Sequence, residues 1–108
     1  MTQENSTQTV RHLILCRFKE GASAGQFRAF VDAFRRLKDL IPGVLSFEHG
    51  ENNSPEGLER GMTYAVMVTF ESSTARDAYL PHVAHQNFVA AHGGILAEVQ
   101  VLDYIPMA

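Results

Sequence analysis

Four segments of the chain combine apolar and polar residues in the way typical of β-strands. The first is "VRHLILCRF". One of its faces carries His12 and Cys16 among apolar side chains, and the other carries Leu13 and Leu15 between arginines. The predicted strands run from Val10 to Phe18, from Val44 to Gly50, from Met62 to Phe70 and from Leu96 to Tyr104.

A helix is predicted between the first two strands. It follows the breaker-rich segment "EGASAGQ", in which Ser23 is a suitable N-cap, and it stops at Pro42 and Gly43. Its apolar residues recur with the helical period and form one stripe, which should face the sheet. The members of this stripe are Phe27, Phe30, Val31, Phe34, Leu37 and Ile41.

A second helical region is predicted between the third and fourth strands, with an N-cap at Ser72 or Ser73 and a C-cap at Gly93. Pro81 interrupts it. Because a proline disfavours helical geometry at the preceding residue, Leu80, we expect a bend between Tyr79 and His82, with Pro81 near the first position of a new helix.

The order β-α-β-β-α-β is typical of a ferredoxin-like α+β sandwich, with a four-stranded antiparallel sheet and both helices on one face. The uncovered face of the sheet is also apolar, which monomers rarely tolerate. We therefore expect a homodimer that forms through this face. The residues assigned to it are Leu13, Leu15, Ala65, Met67 and either Val99 or Val101.

Composition and charge narrow the class of protein. A chain of 108 residues is expected to be one domain, here residues 10–105 after a disordered polar tail at residues 1–9. The net charge of −3 provides no basic field for nucleic acid. The chain has one cysteine, no signal-peptide pattern and no apolar run that would span a membrane, so we expect a cytoplasmic protein.

The segment "YLPHVAHQNF" carries the most suggestive chemistry. His85 lies on the helical stripe that should face the sheet, whereas His82 is expected outside, holding the helix end. His12 shares a strand face with Ile14, which is also expected under the helices. We therefore expect a cavity between helices and sheet that is lined by His12, Tyr64, Tyr79 and His85.

Several chemistries are disfavoured at such a site. The two histidines have no carboxylate or cysteine at metal-ligand spacing, and Cys16 lies about 13 Å along the strand from His12. No glycine-rich loop precedes a helix, so no nucleotide cofactor is expected. An imidazole and a phenol together suit acid/base work, in which one takes a proton and the other binds the adjacent oxygen. The alternative is that these rings simply pack in the core.

With these segments in order, the chain resembles the stress-responsive α/β-barrel (Dabb) family over nearly its whole length. The resemblance rests on "VRHLILCRFK", "IPGV", "GENNSPEG", "GMTYAVMVTFES" and "YLPHVAHQNFV". It implies a ferredoxin-like unit that dimerises through its sheets into an α/β barrel. One plant member is a polyketide cyclase that performs an aldol condensation without a cofactor, using a histidine base and an assisting tyrosine.

This resemblance places the base at His85 and the phenol at Tyr79, with His12 as a pocket histidine. A second strand histidine of the cyclase corresponds to Tyr64 in this resemblance, so the chain departs from the cyclase's pattern at this position. Three functions follow as hypotheses. The first is cofactor-independent cyclase or aldol chemistry on a small carbonyl compound, with the loop from Glu51 to Arg60 over the pocket mouth. The second is a non-catalytic stress-related dimer, structural or ligand-binding. The third is a cofactor-free monooxygenase, which the motifs match less well.

Overall fold

The computed structural model describes residues 8–108, so the predicted disordered tail lies almost entirely outside the described residues. The predicted order of elements is confirmed, with the second helical region divided in two and a short 3-10 turn, Gly93–Ile95, before the last strand. The elements are β1 (Val10–Phe18), α1 (Ala24–Leu40), β2 (Val44–Glu51), β3 (Tyr64–Phe70), α2 (Ser73–Tyr79), α3 (Val83–His92) and β4 (Leu96–Tyr104).

The four strands form one antiparallel sheet in the order β2-β3-β1-β4, which confirms the ferredoxin-like fold. In the central strand β1, buried and half-buried residues alternate, as expected for a sheet with helices on one face. His12 lies on the buried face, paired with Val68 of β3 and Asp103 of β4. Since paired residues point to the same side of a sheet, Asp103 also faces the helices.

Helix α1 begins where the sequence predicts. The Ser23 side chain accepts a hydrogen bond from the Gln26 N–H, and the Gln26 side chain accepts one from the Ser23 N–H, so the helix has a complete capping box. Four residues of the predicted stripe are buried within the helix: Phe30, Val31, Phe34 and Leu37. No helix within residues 8–108 combines the length and the apolar character needed to cross a bilayer.

Strand β3 begins two residues later than predicted. The Met62 N–H donates to the Glu59 carbonyl and closes a turn, and Arg60 and Gly61 both have positive φ angles of 57° and 82°. This turn holds Met62 outside the sheet, although its side chain is buried.

The bend between α2 and α3 falls in the predicted segment from Tyr79 to His82, but Leu80 does not depart from helical geometry as expected. Leu80 is helical, with φ −59° and ψ −45°, because its N–H still donates to the Arg76 carbonyl. The chain leaves helical geometry at His82, whose ψ is 139°. His82 is the N-cap of α3, so Pro81 precedes the cap and does not occupy the first helical position. The capping role expected of His82 is confirmed, since its Nδ1 accepts from the Ala84 N–H at 3.0 Å.

The register of β4 corrects the predicted outer face of the sheet. Val99 pairs with Cys16 and Val101 pairs with Ile14, so both valines lie on the helix side. Leu102 pairs with Leu13 and takes the outer position, where it is 63% exposed. Sequence alternation places residues on faces only once the register is known. The outer apolar patch therefore consists of Leu13, Leu15, Ala65, Met67 and Leu102.

The turn between α1 and β2 gives a test of the packing. Gly43 has φ +91°, and a Cβ at this position would lie 2.5 Å from the Ala75 Cβ on α2. We expect Gly43→Ala to lower the free energy of unfolding by about 1–3 kcal/mol, measured by urea denaturation. Gly25→Ala, within the first turn of α1, is the matched control, because its nearest contact would be 3.9 Å away. Equal stability of the two variants would contradict this account.

Candidate functional site

A cavity of about 310 Å³ lies between the helices and the β1–β4 half of the sheet. We call it the His85 cavity. Three of the four predicted site residues, His12, Tyr79 and His85, line it. The other lining residues are mostly apolar: Ile14, Cys16, Phe30, Phe34, Leu80, Phe88, Val89, Gly93, Leu96, Val99, Val101 and Asp103.

His12 is held by a carboxylate that the sequence did not reveal. Its Nδ1 lies 2.6 Å from Asp103 Oδ1, and Asp103 Oδ2 accepts from Arg76 Nη1 at 2.9 Å. Because a carboxylate that also binds Arg76 acts as an acceptor, His12 Nδ1 is the donor in this contact. The hydrogen bond to Asp103, followed by the one to Asp77, raises the pKa of Arg76, which stays cationic.

His85 is oriented by a backbone carbonyl. Its Nδ1 lies 2.9 Å from the Leu80 oxygen, and since a carbonyl only accepts, Nδ1 donates and Nε2 is left unprotonated. In an uninterrupted helix this carbonyl would bind the Ala84 N–H, but that N–H donates to His82 instead. Burial, with the nearby His12 adding to it, lowers the pKa of His85 despite the opposing hydrogen bond to Leu80, so the neutral base is favoured.

Tyr79 is almost completely enclosed, with 1% of its surface exposed. Its ring centroid lies 4.6 Å from that of His85 and 6.1 Å from that of His12. Within residues 8–108 its hydroxyl has no hydrogen-bond partner. It is not one of the fully enclosed polar atoms that lack a partner, which belong to Tyr64 and Ser73. Tyr79 lines the His85 cavity. Burial raises the pKa of Tyr79, so its phenol stays protonated and can donate.

Tyr79 contacts His85 through its ring, and within residues 8–108 no hydrogen bond joins the two side chains. The Leu80 carbonyl orients His85, and the Tyr79 hydroxyl is left free for a ligand. Cys16 is fully buried, as expected for a small apolar residue, and burial raises the pKa of its thiol to about 11. Such a thiol is a poor nucleophile. In the described part of the chain no three His, Cys, Asp or Glu side chains are grouped as metal ligands.

Tyr64 does not join the other three residues, and the predicted convergence of all four is wrong. Tyr64 pairs with Cys16, four positions along β1 from His12, and it lines a different cavity of about 300 Å³. We call this the Tyr64 cavity; its lining residues are Phe18, Phe27, Glu51, Asn52, Thr63 and Tyr64. The expected lid is also misplaced. Its first two residues, Glu51 at the end of β2 and the following Asn52, line this cavity, and no residue of the predicted lid lines the His85 cavity.

Comparison with known proteins gives a consistent assignment. Residues 10–106 match the family model of the stress responsive A/B barrel domain. The chain is 34% identical over 103 residues to the stress-response A/B barrel domain-containing protein HS1 of Arabidopsis thaliana, covering 95% of this chain and 94% of that protein. It is 30% identical over 97 residues to olivetolic acid cyclase of Cannabis sativa, covering 90% and 96%.

Solved structures agree with this result. The crystal structure of At3g17210 from Arabidopsis thaliana superimposes with a TM-score of 0.88 at 34% identity, covering 92% of this chain and 96% of that one. A protein of unknown function from Thermobifida fusca, described as a dimeric ferredoxin-like protein, has a TM-score of 0.77 at 19% identity and covers 97% and 100%. The latter shows the shared fold alone.

The lowered pKa of His85 has a measurable effect on stability. The unfolded chain, in which histidine titrates near pH 6.5, binds a proton at His85 more readily than the folded chain does. The stabilising contribution is present above that pH and is lost as the pH falls. Between about pH 8 and about pH 5, the wild-type free energy of unfolding should fall further than that of His85→Gln. Equal losses in urea denaturation would contradict the assigned shift.

Proposed function

This chain belongs to the stress responsive A/B barrel family, and we propose that its His85 cavity binds a small carbonyl compound and performs acid/base chemistry on it without a cofactor. The observation that carries this proposal is the pairing of a neutral imidazole, whose Nε2 is free, with a buried phenol in ring contact. A general base needs a free lone pair near neutral pH, and the carbonyl oxygen needs a donor beside it.

The proposed reaction is an aldol-type condensation within one molecule. His85 Nε2 removes a proton from a carbon next to a carbonyl, and the resulting enolate carbon attacks a second carbonyl carbon of the same compound. The Tyr79 hydroxyl donates a hydrogen bond to the oxygen on which charge develops. Attack on the second carbonyl turns its oxygen into an alkoxide, and the proton held by His85 passes to this alkoxide. The new carbon–carbon bond therefore forms without an external oxidant or reductant.

His12 is proposed as a second polar contact for the same compound. Its Nδ1 is fixed by Asp103, so its Nε2 accepts a hydrogen bond from a ligand hydroxyl or enol. The Asp103 carboxylate would also stabilise a positive charge on His12, in the way a carboxylate stabilises a catalytic imidazolium. Arg76 competes for the same carboxylate and limits this effect.

The remainder of the cavity favours an aromatic or otherwise apolar compound. Phe30, Phe34 and Phe88 form one wall, with ring centroids between 4.6 and 5.7 Å apart. The relative named olivetolic acid cyclase, at 30% identity, supports cyclase chemistry as the reaction class. The identity of the substrate is left to experiment.

A non-catalytic ligand-binding dimer is the second candidate, and the outer apolar patch favours its dimeric part. Leu13, Leu15 and Leu102 lie side by side on the face that no helix covers. Burying such a patch against a second copy removes apolar surface from water. The description of the Thermobifida fusca protein as dimeric supports a homodimer, and we propose that this sheet face forms the interface.

The catalytic proposal can be tested without the natural substrate. In deuterated water, the protein should accelerate exchange of the protons next to the carbonyl in a panel of aryl ketones such as acetophenone and benzoylacetone, followed by proton NMR. His85→Gln keeps a side-chain N–H for the Leu80 carbonyl but lacks a basic nitrogen, so exchange should fall by about 10²-fold or more. Tyr79→Phe should reduce it less.

His92→Gln is the matched control, since His92 does not line the cavity, and its exchange rate should equal that of the wild type. If His85→Gln exchanges as fast as the wild type, His85 is not the base. If ketones bind, as seen by chemical-shift changes at cavity residues, but no exchange exceeds the buffer rate, the ligand-binding candidate replaces the catalytic one.

The dimer is tested by charge insertion into the outer apolar patch. Leu15→Glu places a carboxylate at the centre of the sheet face, where burial against a second copy would be costly. We expect the variant to be monomeric by analytical ultracentrifugation while the wild type is dimeric. Arg28→Glu, on the exposed side of α1, is the control and should leave the mass unchanged. A Leu15→Glu protein with the wild-type mass would place the interface elsewhere.

A further inference from the structure

We propose that the Tyr64 cavity is a separate binding site for a small organic ammonium ion. This site goes beyond the proposed function, because none of its lining residues lines the His85 cavity. Cys16 and Phe30 line the His85 cavity. Cys16 pairs with Tyr64 and Phe30 contacts Phe18, so these two residues separate the His85 cavity from the Tyr64 cavity.

Three aromatic rings form one wall of the site. Phe27 and Tyr64 have ring centroids 5.1 Å apart, Phe18 and Phe27 lie 5.3 Å apart, and Phe18 and Tyr64 lie 5.6 Å apart. The two phenylalanines are only half-buried, so part of their ring surface is available to a ligand. A cation is attracted to the negative face of an aromatic ring, and several rings together are the usual setting for a substituted ammonium group.

A carboxylate stands beside these rings. Glu51, the last residue of β2, pairs with Tyr64 and therefore points to the same side of the sheet. Within residues 8–108 it has no ion-pair partner, although it lines the cavity. An unpaired carboxylate beside aromatic rings favours a cationic ligand and repels an anionic one.

The charged group nearest to Tyr64 on α1 is Arg35, which interacts electrostatically with the phenol. Its guanidinium already binds Asp32 at 3.3 Å and His49 at 3.2 Å, and it does not line the cavity. Arg35 is thus committed to other partners, which leaves the Glu51 carboxylate as the charge at the cavity wall.

The Tyr64 hydroxyl lies inside the wall of the cavity and does not reach its open space. Tyr64 is 3% exposed, and its hydroxyl is one of two enclosed polar side-chain atoms without a partner in the described part of the chain. Burial raises the pKa of this phenol, so it keeps its proton.

The size of the cavity limits the ligand. About 300 Å³ is at the lower end of the range for small-molecule sites, so a compound of the size of choline fits and a long-chain amine does not. The ligand class is therefore a compact ammonium ion.

The test compares choline with its neutral carbon isostere, dimethylbutanol, in which a quaternary carbon replaces the nitrogen. In nitrogen–proton correlation spectra, choline should shift the amide signals of Phe18, Asn52 and Tyr64, whereas the isostere should shift them at least about tenfold less at equal concentration. Binding of both compounds with equal affinity, or of neither, would overturn the proposal.

Three variants separate this site from the proposed function. Glu51→Gln removes the charge at constant shape and should weaken choline binding by about fivefold to tenfold. Phe27→Leu should weaken it similarly while leaving the fold intact by circular dichroism. His85→Gln should leave choline binding unchanged. Loss of choline binding in His85→Gln would show that the cation occupies the His85 cavity instead.

Discussion

The hydrogen bond between the Leu80 carbonyl and His85 Nδ1 is the interaction on which the proposed chemistry depends. It exists because the chain stops being helical at His82, whose own imidazole takes the Ala84 N–H that Leu80 would otherwise bind. One histidine therefore frees an acceptor, and a second histidine three residues later uses it. The result is a fixed tautomer, in which the lone pair of His85 is available and its ring remains against Tyr79.

Local patterns in the sequence predicted most of the fold and grouped three of the four proposed site residues correctly at one cavity, because capping residues, proline and alternation act over a few positions. The Ser23 cap, the stop at Pro42 and the inward direction of His85 are examples. Pairing between distant strands is not encoded locally. The sequence analysis therefore missed Asp103 and assigned Val99 and Val101 to the wrong face of the sheet. It also grouped Tyr64 with His12, although Tyr64 pairs with Cys16, four positions further along β1.

The register of β1, β3 and β4 explains why one face of the sheet carries two chemically different cavities. The His85 cavity has imidazoles and a phenol against apolar walls, and the one carboxylate on its wall is already bound by His12 and Arg76. The Tyr64 cavity has aromatic rings and a carboxylate without a partner among the described residues.

The contact between His12 and Asp103 joins positions 91 residues apart, at the two ends of the folded region. A nascent chain that has emerged through α3 already contains His12, Tyr79 and His85, yet it lacks β4 and the carboxylate that fixes the His12 tautomer. Contacts of such large sequence separation are made late, when the intervening chain is already ordered. The reactive arrangement is therefore completed only after β4 has been synthesised and has paired with β1.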